Sequence, residues 1–142
     1  MRIENHTNLD TSEIKARFKE ASFGIKTGNV LVEIHNSNRH HITGRVWFKP
    51  IFYQWNRRWT RKHKQHIYIG VPKTNPVITW RQLGRGQERT KIELSRIDAL
   101  TLTFAHELYH IVQYRERRSL SQIEADQFAV SIGQRLGIIG GD

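Results

Sequence analysis

The residues of this chain best suited to chemistry are His106-Glu107-Leu108-Tyr109-His110. Two histidines four residues apart on a helix stand one turn above the other on the same face. Both imidazoles can then reach one ion, and Zn²⁺ is the usual partner of neutral nitrogen ligands. Glu107, next to the first histidine, lies beside such an ion and is placed to act as general base toward a water bound to it. The competing reading is a pair of surface histidines flanking a chance glutamate. A helix here is supported locally. Ser95 followed by Asp98 resembles a capping box, and Ile97, Leu100, Phe104, Leu108 and Ile111 recur at helical spacing. On a wheel of ~100° per residue, His106 and His110 fall with Ala99, Thr103 and Gln113 opposite that apolar stripe. They are therefore not packed residues of the main stripe.

A catalytic zinc site usually has three protein ligands and an open position. Cysteine is absent, so the third ligand must be His, Asp or Glu, and the last predicted helix offers Glu124 and Asp126. These two sit about 200° apart on a helical wheel, so an undistorted helix cannot bring both to the ion. Each flanks an apolar stripe, and the wheel does not choose between them. Ser121 with Glu124 fits a capping box in which Glu124 merely satisfies a helix N-terminus. Ser119 with Gln122 fits an equally good one, which starts the helix half a turn earlier and frees Glu124.

The elements that must position these residues follow from periodicity. Residues 9–21 read as a first helix, capped by Asp10, Thr11 or Ser12, with Ile14, Phe18 and Ala21 on one face. Residues 30–35 read as a strand with Val30, Val32 and Ile34 on one side. A hairpin loop at 36–41 leads to a second strand at 42–48, with Ile42, Gly44, Val46 and Phe48 on one side. His40 and His41 read as ordinary loop histidines, because neighbours in a loop rarely converge on one ion. Residues 66–71 form a third strand, placed at a sheet edge, with Ile67, Ile69 and Val71 inward. A short strand at 77–80 and a basic loop at 81–89 precede the site helix, which runs to about Arg115. A last helix spans 119–136 and is closed by Gly137.

At 142 residues the chain fits one domain, residues 1–142, with a modest core. Its 37% hydrophobic and 25% charged content describe a globular rather than a disordered protein. No apolar run is long enough to cross a bilayer, and the first residues lack the apolar core of a signal peptide. Together with the absence of cysteine, this predicts a cytoplasmic protein with no membrane partner. The net charge of +10 attracts polyanions. It concentrates around Trp55, Arg57, Arg58, Trp59, Arg61, Lys62, His63 and Lys64, a basic tract interleaved with aromatics. Such a tract suits phosphates and stacked bases, and equally suits a solvated loop whose tryptophans fold back on the core. A nucleic-acid partner is thus an expectation attached to that tract, and no oligomeric state is implied.

His106-Glu107-Leu108-Tyr109-His110 followed by Glu124-Ala125-Asp126-Gln127-Phe128-Ala129 resembles the small gluzincin-type metallopeptidases. The second segment is especially similar to the ImmA/IrrE-like group. The resemblance covers roughly residues 95–136. Tyr109 stands where those proteins carry a small residue, and Asp126 where they usually carry Asn. The resemblance implies a zincin-like α+β fold: an N-terminal helix, a small twisted mixed sheet, then two packed helices carrying the metal. It implies Zn²⁺ held by His106, His110 and Glu124, with Glu107 as base and a polypeptide substrate. It further implies Asp126 as the outer carboxylate that orients a ligand histidine. A SprT-like protease would share the basic character but would use a third histidine. Tyr68, His66 and Tyr109 are the candidates to stabilise an oxyanion. The alternative expectation is a basic nucleic-acid-binding module with structural or vestigial zinc, or a protease directed to DNA-bound proteins.

Overall fold

A computed structural model describes residues 1–48, 65–82, 86 and 88–140. The elements run β1 (Arg2–His6), α1 (Thr11–Ala21), β2 (Val30–Ser37), β3 (Thr43–Trp47), β4 (Gln65–Pro72), β5 (Val77–Arg81), β6 (Thr90–Leu94), α2 (Arg96–Arg115) and α3 (Gln122–Arg135). The architecture is α+β. The basic tract at 55–64 lies outside the described residues. No helix among them is long and apolar enough to cross a membrane.

Each helix begins where its sequence offers a capping oxygen to an unpaired N–H. Asp10 accepts from the Glu13 amide at 3.0 Å, Ser95 from Asp98 at 3.2 Å and Ser121 from Glu124 at 3.2 Å. Gly137 ends α3 at φ 73°, a left-handed position that glycine adopts without steric cost.

The main sheet has the order β1-β2-β4-β3. β1 and β4 both run parallel to β2, and β3 pairs antiparallel with β4. Two expectations change here. Residues 30–48 are not a hairpin, because β4 is inserted between β2 and β3. For the same reason β4 is an interior strand, and β3 takes the sheet edge. Interior placement agrees with the near-continuous burial of β4, which has β2 along one edge and β3 along the other. The predicted alternation holds: Val30, Val32, Ile34, Ile67, Ile69 and Val71 share one core with Ile14 and Phe18 of α1 and Leu100, Phe104, Leu108 and Ile111 of α2.

β5 and β6 form a separate antiparallel pair. Their Val77 and Leu94 pack on Ala99 and Leu102 of α2, so α2 lies between the main sheet, the β5–β6 pair and α3. It is consequently buried nearly all round. The face carrying the two histidines is polar but not exposed.

Arg96 anchors the start of this helix. Its side chain donates to Pro72 O at 2.7 Å, Asn8 Oδ1 at 2.8 Å and Asn36 Oδ1 at 2.9 Å, and its amide to Asn75 Oδ1 at 3.0 Å. A buried guanidinium with its donors satisfied in this way fixes α2 against the ends of β2 and β4.

Candidate metal centre

His106 and His110 are only 5% and 3% exposed, and their Nε2 atoms lie 3.2 Å apart. What sits on the other nitrogen of each ring decides what Nε2 can do. Asp126 Oδ1 is 2.8 Å from His106 Nδ1, the contact expected of an outer carboxylate. A carboxylate only accepts, so Nδ1 carries the hydrogen and Nε2 of the neutral ring presents a lone pair. Arg81 Nη1 lies 3.4 Å from the same nitrogen, but it meets the same carboxylate oxygen at 3.1 Å, and the shorter Asp126 contact governs.

His110 Nδ1 lies 2.8 Å from Gln113 Oε1. That amide is oriented by its other bonds. Gln113 Oε1 accepts from the Ser121 amide at 3.3 Å, while its Nε2 donates to Ser121 O and to Glu124 Oε2. His110 therefore also presents an Nε2 lone pair. Two imidazole lone pairs converging in a buried site could act as a metal donor pair, and in chemical type the two residues fit Zn²⁺.

The structure does not bring Glu124 to this pair. Its Oε2 accepts from Gln113 at 3.1 Å and from Arg118 at 3.2 Å, and its side chain is 46% exposed. The helix begins at Gln122 with Ser121 as cap, so Glu124 belongs to the capping turn. Among the described residues no three His, Asp or Glu side chains are grouped to hold a metal. The side chain standing over the two histidines is instead Gln122. Its Oε1 is 2.7 Å from His106 Nε2 and 3.2 Å from His110 Nε2. Gln122 and Asp126 are four residues apart on α3 and so share a face. One meets Nε2 of His106 and the other meets Nδ1.

Glu107 is 8% exposed and lines a cleft of about 230 Å³ with Thr103, His106, His41, Gly44, Arg81 and residues of β5. Burial pushes its carboxyl above the ordinary value, while His106, His110 and Arg81 pull the other way. Asp126 ends on the opposite side. Burial raises it, but hydrogen bonds from His106 and the Gln82 amide, with the Arg81 cation, outweigh that and hold it below its ordinary value. The two carboxyls flanking His106 are thus shifted in opposite directions.

Several functional side chains lie away from where patterning suggests. Arg81 reads as part of a basic loop but is a buried residue at the end of β5. It donates to Asp126 and contacts Thr103 Oγ1 at 3.4 Å. Gln113 and Thr103 share the histidine face on the wheel, which was the available signal for both. The oxyanion candidates Tyr68, His66 and Tyr109 do not line the cleft. Tyr68 stacks on His35 across the other sheet face, His66 lies against Trp47, and Tyr109 packs on Phe128. His41, read as a loop histidine, lines the cleft and bridges to Ile78.

Gly44 places the β3 backbone directly against Glu107. A Cβ there would come within 2.8 Å of Glu107 Oε1 and of Thr103 Cγ2. Gly44→Ala should therefore force β3 or Glu107 aside and destabilise the fold by about 1–3 kcal/mol. Urea unfolding checks this, an unchanged midpoint being the contrary result.

No protein-family model, no curated protein and no solved structure matches this chain. The functional reading rests on the side chains alone.

Proposed function

We propose that this chain is a metal-dependent peptidase of HExxH type, with His106 and His110 holding Zn²⁺ and Glu107 as general base. One observation carries the reading: two buried imidazole Nε2 atoms meet at 3.2 Å beside a cleft lined by the buried carboxyl of Glu107. Zn²⁺ bound there would act as a Lewis acid toward the scissile carbonyl and would acidify the attacking water. Glu107 would take the proton of that water and return it to the leaving amine, the role of a positioned general base. Asp126 fixes the tautomer and rotation of His106, and Arg81 fixes Asp126.

The edge strand β3 supports a polypeptide substrate. Among the described residues no strand pairs with its outer edge, and the bridge from His41 to Ile78 lies just before it. An extended peptide added along it would pass over Gly44 and so over Glu107. Arg81 and Arg89 line the cleft, and positive charge there would suit a developing oxyanion. The expected nucleic-acid partner attaches to residues outside those described, and no observation at the site favours it.

The reading is tested by incubating the full chain with a mixture of unstructured peptides and analysing the products by mass spectrometry. Cleavage is expected, is lost on chelation and returns with Zn²⁺. Zinc-loaded protein that leaves every peptide intact would count against it.

A further inference from the structure

We infer that the third metal donor is the side-chain oxygen of Gln122, giving a His106–His110–Gln122 site with no anionic ligand. The inference rests on the metallopeptidase reading and names a donor that patterning does not supply.

The argument is one of hydrogens. With Nδ1 of His106 facing Asp126 and Nδ1 of His110 facing Gln113, both neutral rings turn lone pairs toward one point. Gln122 Oε1, another acceptor, lies 2.7 and 3.2 Å from those two atoms, which are 3.2 Å apart. With both rings neutral and Gln122 Oε1 turned toward them, three electron-pair donors with no hydrogen among them would repel unless a cation stood between them. Ligand atoms about 2.1 Å from one ion at tetrahedral angles are roughly 3.4 Å apart, close to the two 3.2 Å separations and longer than the 2.7 Å one.

The position is also built. Ser121 caps α3, and Gln113 holds Ser121 through both its amide atoms, so Gln122 is fixed over the histidines by contacts with α2. Glu124 is held away from them by Gln113 and Arg118. A neutral amide oxygen is a weaker partner for zinc than a carboxylate. The ion would be held less tightly, and its full charge would face Glu107 and the cleft.

The experiment measures Zn²⁺ affinity of the full chain against a competing chromophoric chelator, with circular dichroism to establish folding. Gln122→Glu should bind Zn²⁺ about tenfold more tightly or better, because it supplies the missing anionic ligand. Gln122→Ala should weaken binding by about 10- to 100-fold, the scale found even for the outer partners of metal ligands. Glu124→Ala, although it alters the capping turn, should leave affinity within about twofold, since it removes no donor.

Loss of affinity in Glu124→Ala but not in Gln122→Ala would overturn the assignment in favour of Glu124. Weaker binding in folded Gln122→Glu would show that position 122 supplies no ligand to the ion, which also overturns it. Zinc held by the wild type and unaffected by either Gln122 variant would remove only the third-donor assignment. No zinc in the wild type or any variant would remove the metallopeptidase reading with it.

Discussion

Glu107→Gln should lower peptide hydrolysis by about 10²- to 10⁴-fold, the contribution of a positioned general base, while zinc content and fold persist. The amide is nearly isosteric, and Glu107 is not one of the proposed metal donors. What the substitution removes is the capacity to take a proton. The buried carboxyl, raised in pKa and pressed against Gly44, has little room to be replaced by another base. The expected signature is a fall in kcat with zinc stoichiometry unchanged. Undiminished cleavage by the variant would take Glu107 out of the mechanism.

Phe104→Ala should cost about 3–5 kcal/mol, the usual range for emptying a fully buried aromatic site. Phe104 stacks on Phe18 with ring centroids 4.0 Å apart and planes 9° from parallel, which joins α2 to α1. It lies two residues before His106, on the side of α2 turned to the sheet core. Against a total stability of about 5–15 kcal/mol for a domain, this loss brings the chain near its unfolding threshold. Chemical denaturation should show a large fall in midpoint. A loss below about 1 kcal/mol would mean that this contact does not organise the core as described.

How much of this was legible in the sequence depended on the range of the interaction that decided it. α1 and α2 could be read because their stripes and capping residues are local signals. The inward faces of β2, β3 and β4 could be read because alternation is local too. Partner choice was not legible. Alternation says which residues face the core but not which strand lies alongside, so β4 between β2 and β3 was hidden behind a plausible hairpin. β1 was hidden for a different reason: Arg2–His6 has one aliphatic residue, Ile3, and its strand character comes from pairing with β2.

The site divides in the same way. The His106 and His110 pair follows from helical spacing, and Asp126 from the family resemblance. The choice between two capping boxes at the start of α3 is a tertiary matter. Gln113 of α2 takes both the amide and the carbonyl of Ser121, which sets the helix start at Gln122 and turns Glu124 to the outside. Arg81 was obscured by a loop of similar residues, and only the packing of β5 against α2 reveals it as the partner of Asp126.

The central claim, that His106 and His110 hold one metal ion, is tested most directly by the zinc content of purified chain equilibrated with Zn²⁺ and freed of excess. About one Zn²⁺ per chain is expected for the wild type, as in mononuclear catalytic sites. His106→Ala should hold essentially none, with its helical circular dichroism retained. Full zinc content in folded His106→Ala, or a wild type that takes up no zinc, would contradict the account.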